Sequence, residues 1–185
     1  MKKIYCLLLL SLSVSNANAI NINKNINVSP IFSAQLMSPD IEDPQFITES
    51  KAYFDTQMGI KANYQAYNII AQTNRVLNKE QIMNVITRDT GVPLSAKIQT
   101  TIDTVRFGRQ FGKFLPTINI ANVQVAETIS SGSYVLGKRK NSMIVPAGSL
   151  YYIVDKNFSL SIDYYPQLKE VYVDRAVAIS ANYSF

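Results

Sequence analysis

The sequence predicts an all-β chain: a small antiparallel transmembrane β-barrel of about eight strands, together with one short helix. Three observations support this prediction. The chain opens with an export signal, and its later segments alternate apolar and polar residues with a period of two. After the signal, no apolar run reaches the roughly 18 residues that a membrane-spanning helix needs. Such an exported chain can cross a membrane only with strands that close on themselves.

The first 19 residues have the pattern of a cleavable signal peptide. Lys2 and Lys3 supply a positive start, residues 4–14 are mostly apolar, and Ala17-Asn18-Ala19 offers small residues to a signal peptidase. An uncleaved membrane helix is the alternative, but the apolar stretch is too short to span a bilayer. We therefore expect cleavage after Ala19 and a mature chain that starts at Ile20.

The composition excludes several kinds of chemistry. Cys6 is the only cysteine and lies within the signal, and the sequence contains no histidine. Ser-His-Asp and Cys-His catalysis are therefore excluded, and the commonest metal ligand is missing. The net charge is +5 for the whole chain and +3 without the signal, which does not indicate a nucleic-acid partner. We expect no cofactor and no metal.

A polar leader is predicted for residues 20–50, ahead of a barrel domain at residues 51–185. Alternate asparagines open this leader, and prolines then interrupt its weak periodicity. We expect a loosely ordered tail or a plug-like segment. The residues concerned are Asn21, Asn23, Asn25, Asn27, Pro30, Pro39 and Pro44.

Period-two alternation begins at Tyr53 and predicts a strand. The face that includes Phe54 and Tyr64 is mainly apolar, whereas the face that includes Asp55 and Asn63 is polar. Alternation of this length is typical of a strand that lies between two different solvents. A strand of a soluble β-sandwich has the same pattern, so this segment alone leaves both folds open.

The next segment predicts a short helix at residues 79–88. Asn78 followed by Gln81 resembles a capping box, and the apolar residues around it roughly follow helical spacing. Gly91 and Pro93 are typical of the end of a helix. We therefore expect one helix in an otherwise all-β chain.

Two later segments are predicted to be strands. Residues 96–104 fit either a helix or a strand, and their β-branched side chains favour the strand. In residues 117–126 the apolar positions change face between Ile120 and Val123. We interpret this change as a β-bulge near Ala121-Asn122, which would restore a single apolar face.

A hairpin with a basic tip is predicted next. Ser130-Ser131-Gly132-Ser133 has the composition of a turn, and residues 134–137 and 143–145 flank the tip Lys138-Arg139-Lys140-Asn141. We interpret Lys138, Arg139 and Lys140 as candidate contacts of a surface loop. Both a contact with lipopolysaccharide phosphates and an ordinary solvated loop remain open.

The C-terminal third has the clearest alternation. The tight turn Asp155-Lys156-Asn157 joins one strand to the next, which covers residues 158–165. In the last strand Val177 and Ile179 belong to an apolar face, whereas Ala178 and Ser180 belong to a face of small and polar residues. The apolar face would contact lipid, and the other face would fill a narrow lumen.

These C-terminal residues also carry a family resemblance. The ending Tyr183-Ser184-Phe185 and the hairpin at residues 148–165 resemble the last strands of small bacterial outer-membrane barrels of the opacity-protein and outer-membrane-protein-A type. The resemblance implies a location in the outer membrane of a Gram-negative bacterium. It also implies that Tyr183 and Phe185 form the signal that the barrel assembly machinery recognises.

The charged residues form no catalytic constellation. We expect the carboxylates Asp155, Asp163 and Asp174 to form salt bridges in the lumen, and we interpret Asp103 and Arg106 as a structural pair. A further basic stretch alternates with aromatic residues, and it suits an interfacial girdle with cationic anchors better than nucleic-acid stacking. Its residues are Arg106, Phe107, Arg109, Phe111, Lys113 and Phe114.

The favoured function is that of a non-enzymatic surface barrel with an adhesive or membrane-stabilising role carried by its loops. A soluble periplasmic or secreted β-domain that acts as a binding module is the alternative, and a barrel-embedded enzyme is less favoured because histidine is absent. The expected partners are outer-membrane lipid, the barrel assembly machinery and either lipopolysaccharide or a host surface ligand. Nucleic acid is not expected.

Overall fold

The computed structural model describes residues 20–23, 26–41, 45–48, 52–75, 81–166 and 173–185. Within these ranges the chain forms eleven β-strands. The described residues include no helix of the length and hydropathy needed to cross a membrane. The predicted signal peptide lies outside the described ranges.

The strands are numbered in chain order. They are β1 (Ile20–Asn23), β2 (Ile26–Ile41), β3 (Phe46–Thr48), β4 (Tyr53–Tyr64), β5 (Tyr67–Thr73), β6 (Gln81–Thr87), β7 (Pro93–Arg109), β8 (Phe114–Ser131), β9 (Tyr134–Ile153), β10 (Phe158–Tyr165) and β11 (Val173–Ser184). Every pairing between them is antiparallel.

The described strands close into an eight-stranded barrel. The ring runs β2, β4, β5, β7, β8, β9, β10 and β11, and β11 then pairs with β2. β6 continues the line of β5, because both pair with the same side of β7: β5 from Asp103 to Arg109 and β6 from Pro93 to Ile98. The predicted class, a small antiparallel barrel of about eight strands, is confirmed.

The two ends of the barrel differ. Three short connections lie at the end where the last strand finishes, which we call the turn end. In one of them Asp155 Oδ1 accepts the backbone N–H groups of Asn157 (2.7 Å) and Phe158 (2.8 Å), as predicted for a tight turn. These two donors lower the pKa of the Asp155 carboxyl. We call the opposite end the loop end.

Three neighbouring strands extend far beyond the ring at the loop end. β7, β8 and β9 have 17, 18 and 20 residues, whereas β10 has 8. β6 pairs with the extension of β7, and β3 pairs with β6, so the extension is a five-stranded sheet in the order β3-β6-β7-β8-β9. We call it the raised sheet. It consists of β3, β6 and residues 93–102, 123–131 and 134–143 of the three long strands.

The outer wall of the ring is apolar and exposed. In β11 Ile179 is 57% exposed, whereas the next residue, Ser180, is buried in the lumen, as the alternation predicted. Large apolar side chains that face water on this scale would be unstable in a monomeric soluble protein, so hydrocarbon must cover them. They are Leu36, Phe54, Ile60, Ile69, Val105, Ile118, Ile120, Ile144, Leu150, Leu160, Ile162, Val177 and Ile179.

Aromatic rings and cations surround the wall at the turn end. The Tyr67 and Phe107 rings stack with centroids 6.0 Å apart, and the Arg109 guanidinium lies 5.6 Å from the Tyr67 centroid. The Lys113 ammonium lies 5.9 Å from the Tyr152 ring centroid. This arrangement is typical of the interfacial girdle of a membrane barrel. The girdle prediction is confirmed for Arg109 and Lys113.

The predicted helix is wrong over its described part. Residues 81–87 form strand β6, whose Ile82 and Ile86 are exposed while Val85 is buried. Apolar residues therefore occupy both faces of this strand, and that arrangement imitates helical spacing. Gly91, with φ of +66°, belongs to the turn that joins β6 to β7.

The predicted polar leader is also wrong, because the barrel begins before residue 51. β2 is a full barrel strand that pairs with β4 on one side and with β11 on the other. Its Ile31 and Met37 point into the lumen, whereas Leu36 points outward. Apolar residues on both faces hid the period-two pattern of this strand.

The predicted bulge and the predicted hairpin tip are both wrong. β8 keeps its register through Ala121 and Asn122, and its register shift lies at Ile129/Ser130. The change of face is real, because Ile120 is exposed whereas Val123 is buried in the lumen. The β8–β9 turn lies at Gly132-Ser133, where the positive φ of Gly132 (+57°) favours glycine.

We predict that Ile179→Arg destabilises the barrel in a bilayer by about 2–4 kcal/mol, because the charge would lie against hydrocarbon. Chemical unfolding of the protein refolded into lipid vesicles measures this change. Ile82→Arg is the matched control. Ile82 is 69% exposed and also faces outward, but it pairs with Lys97 in the raised sheet. If both variants were destabilised equally, the assignment of Ile179 to the hydrocarbon-covered wall and of Ile82 to the sheet beyond it would be contradicted.

Candidate functional site

A buried ion pair lies in the middle of the lumen. Arg106 Nε on β7 lies 3.4 Å from Asp163 Oδ1 on β10, and both side chains are almost fully buried. At this distance the guanidinium and the carboxylate form an ion pair but not a well-formed hydrogen bond. Arg106 gains a stronger contact through Nη1, which donates to Gln72 Oε1 at 2.5 Å. The strand alternation places both charges inside, and each compensates the burial of the other.

Hydrogen bonds spread from this pair around the barrel. Gln72 Nε2 donates to Ser33 Oγ (2.5 Å), and Ser33 donates to Asn182 Oδ1 (2.5 Å). On the other side Asn119 donates to Ser149, and Ser149 donates to Asp163. We call these residues the lumen network. Its members are Ser33, Gln72, Arg106, Thr117, Asn119, Ser149, Ser161, Asp163, Ser180 and Asn182.

An apolar layer fills the lumen on the loop-end side of this network. Nine buried residues from six strands pack together there, and Tyr53, Val125 and Met143 pack against them. Close-packed apolar side chains leave no path for water. The layer consists of Met37, Ile102, Ala121, Val123, Val145, Ala147, Tyr165, Ala176 and Ala178.

The charged residues only partly match their predicted positions. Asp163 is in the lumen as expected, but Asp155 is in the turn, and the side chain of Asp174 lies outside the described residues. The predicted pair of Asp103 and Arg106 is wrong. Asp103 faces outward and pairs with Arg75 (2.5 Å), because residues three apart on a strand lie on opposite faces.

The raised sheet carries the features that a binding surface needs. The start of β9 exposes Tyr134, Val135 and Leu136, at 79%, 58% and 59%. Of the strands that the structure describes, only β8 pairs with residues 134–138 of β9. One edge of this stretch therefore presents backbone N–H and C=O groups that no described strand uses. Such an edge is a template for pairing with another chain.

The three candidate loop residues lie on a strand. Lys138 and Lys140 face outward on β9, on the side of the sheet that also bears Ile144 and Leu150. Arg139 faces the other way, and its Nη2 lies 2.6 Å from Glu127 Oε2 on β8. The structure therefore separates Arg139 from the other two. Lys97 joins them, because the register aligns Lys97, Thr128 and Lys138 across three strands.

Tyr183 and Phe185 lie at the exposed end of the closing strand. Their rings are in edge contact, with centroids 4.8 Å apart. The backbone N–H of Phe185 donates to Pro30 O on β2 (3.2 Å), which extends the seam between the last and the first barrel strand. The sequence did not predict this seam, because β2 was not recognised as a strand.

The closed ring, the apolar outer wall, the polar lumen and the girdle together define a class of protein. The chain is a small transmembrane β-barrel of the outer-membrane type.

Comparisons with known proteins support the same fold. The structure is similar to that of Ail, the attachment invasion locus protein of Yersinia pestis, at a TM-score of 0.56 and 10% identity, over 88% of this chain and 100% of that chain. The structure of Ail in complex with the heparin analogue sucrose octasulfate is similar at a TM-score of 0.57 and 10% identity, again over 88% of this chain and 100% of that chain. No family model matches the sequence. No curated protein matches it either.

We predict that Arg106→Met lowers the free energy of unfolding by about 3–5 kcal/mol, because Asp163 would remain as an uncompensated buried charge. The double variant Arg106→Met/Asp163→Leu should recover most of this loss, since it removes both charges. Urea unfolding of the refolded barrels gives the three values. If the double variant were as unstable as the single one, the ion pair would not be the reason for the loss.

Proposed function

We propose that this protein is a non-enzymatic surface protein of a bacterial outer membrane, and that it binds an extracellular partner with the β9 edge of its raised sheet. The supporting observation is the raised sheet itself, which extends the barrel wall beyond the lipid-facing belt and ends in exposed apolar residues. Below it, the buried side chains of the apolar layer and of the lumen network fill the lumen. The part that is free to meet a partner is therefore the outside of the loop end.

The orientation follows from the lengths of the connections. Outer-membrane barrels have short turns on the periplasmic side and long loops outside. The short turns here, including Asp155-Lys156-Asn157, lie at the turn end. The raised sheet then stands on the cell surface.

The edge of β9 and its apolar start favour a protein partner. An extended segment of the partner would pair with the edge of residues 134–138, and Tyr134, Val135 and Leu136 would bury apolar area against it. The likeness in fold to an attachment protein is consistent with this role. It does not carry the proposal, which depends on the geometry of the sheet.

The test compares adhesion of cells that produce the wild type or Tyr134→Ser/Val135→Ser/Leu136→Ser. We expect the triple variant to lose most binding to host cells, because it removes the exposed apolar contacts and leaves the barrel wall intact. Ile82→Ser/Ile86→Ser is the control, since these residues are also exposed but lie on β6. Labelling of Ser133→Cys on intact cells by an impermeant thiol reagent checks surface display. Full adhesion by a displayed triple variant would contradict the proposal.

A second candidate role is stabilisation of the membrane through lipopolysaccharide. Lys97 on β7 and Lys138 and Lys140 on β9 face outward on the two strands that flank β8, and the two lysines of β9 lie beyond Ile144, the β9 residue of the apolar wall nearest to them. This position suits phosphate groups that lie just outside the hydrocarbon. Anionic sugars of a host surface are the other ligand that suits these lysines, and the heparin analogue bound to Ail is an example in a similar fold.

The lipopolysaccharide role predicts a dependence on the lysines. Added lipopolysaccharide should raise the melting temperature of the refolded wild type, whereas Lys97→Gln/Lys138→Gln/Lys140→Gln should respond much less. Lys113→Gln, which removes a lysine at the turn end, should behave like the wild type. If the triple variant were stabilised as strongly as the wild type, these lysines would not hold the phosphates.

We also propose that Tyr183 and Phe185 form the signal for the barrel assembly machinery. Their paired rings and the seam formed by Phe185 place both at the exposed end of the strand that closes the ring.

A further inference from the structure

Three cations face the interior among the described residues, and one of them has no counter-charge. Arg106 pairs with Asp163, and Arg139 pairs with Glu127. Lys61 lies on the inward face of β4, four residues after the buried Gln57, and it makes no ion pair with any described residue. An inward ammonium group without a partner is costly unless water or an anion reaches it.

Lys61 opens into a cavity of about 430 Å³ at the turn end. This volume falls within the roughly 300–1,000 Å³ of small-molecule sites. We call the cavity the turn-end vestibule. Its lining residues are Asn27, Ser29, Lys61, Asn63, Lys156, Asn157, Ser184 and Phe185.

The lining is suited to a negative group. Two lysines contribute positive charge, and the hydroxyl groups of Ser29 and Ser184 can donate hydrogen bonds. The side-chain oxygens of Asn27 and Asn63, which face each other across β2 and β4, are buried without a hydrogen-bond partner. These oxygens are acceptors, which a water molecule would satisfy, whereas the NH2 group of each amide can donate to a bound anion.

No acidic side chain lines the vestibule among the described residues. The nearest one along the chain, Asp155, is occupied by the backbone N–H groups of Asn157 and Phe158. No described ion pair joins Lys61 or Lys156 to Asp155 or to the terminal carboxylate of Phe185. The protein therefore presents an excess of positive charge in a recess.

We propose that the turn-end vestibule binds the carboxylate or phosphate group of a small solute. Lys61 supplies the inner charge and Lys156 the charge at the rim, while the serine hydroxyls and asparagine amides donate to the remaining oxygens. The vestibule lies at the turn end, so with the orientation proposed above the solute enters from the periplasmic side. This site is distinct from the raised sheet and does not depend on the role proposed for it.

The test is a calorimetric titration of the mature protein, folded in zwitterionic detergent, with inorganic phosphate or with acetate. Sodium chloride at equal ionic strength gives the background. We expect saturable binding of phosphate, of acetate or of both, and the preferred ion identifies the chemical class of the solute. Lys61→Gln should weaken that binding about tenfold, because it removes the inner charge that faces the bound group.

Two further variants make the result specific. Lys113→Gln removes a lysine at the same end of the barrel but on the outer wall, so it should bind like the wild type. Asn63→Asp places a competing carboxylate in the vestibule and should abolish binding even if Lys61→Gln fails to fold. The proposal is overturned if the wild type binds neither ion above the chloride background. It is also overturned if Lys61→Gln or Asn63→Asp binds like the wild type, or if Lys113→Gln loses as much as Lys61→Gln.

Discussion

The ion pair between Arg106 and Asp163 is the interaction on which the interior depends. Lipid outside the ring forces polar side chains inward, and a narrow lumen leaves too little water to hydrate two charges. The pair is tolerated because hydrogen bonds surround it. The lumen network draws residues from seven of the eight barrel strands, every one except β4. A network of this extent fixes the strands relative to one another, because a slip of one residue would turn its members toward lipid.

The lumen is layered, and the layers decide where function can reside. Polar side chains fill its middle, an apolar layer lies toward the loop end, and the vestibule opens at the turn end. Buried side chains occupy the lumen between the two ends, and the pair of Asn74 and Asp55 lies against the apolar layer. Binding is then confined to the two ends of the barrel, which differ in chemistry. The raised sheet presents apolar side chains and, at the start of β9, an edge that no described strand uses. The vestibule presents amines and amides.

The same layering explains what the sequence could predict. Where the lumen is polar, as along β4, β10 and β11, alternation is clean and the faces of Ile179 and Ser180 were predicted correctly. Where the lumen is apolar, both faces of a strand are hydrophobic. Met37 in β2 and Val123 in β8 belong to the apolar layer. This is why the sequence pattern predicts a polar leader in place of β2 and a bulge in β8. In the sequence Lys61 is one more residue on the polar face of an alternating strand. Only the closed ring shows that it faces the lumen and forms no ion pair with a described residue.

Strand length is the remaining constraint, and it links the fold to the proposed role. A single strand could not stand beyond the membrane, because its backbone groups would have no partners and its side chains no packing. Three adjacent long strands, joined by β6 and β3, pair with one another and so support a sheet outside the belt. Such a sheet must end at an edge on each side. On the β9 side the described neighbour, β10, has 8 residues against the 20 of β9 and pairs with it only from Gly148 to Ile153, so the start of β9 forms an edge of the described sheet. The feature proposed to bind a partner is therefore built into the geometry of the barrel and does not require a separate domain.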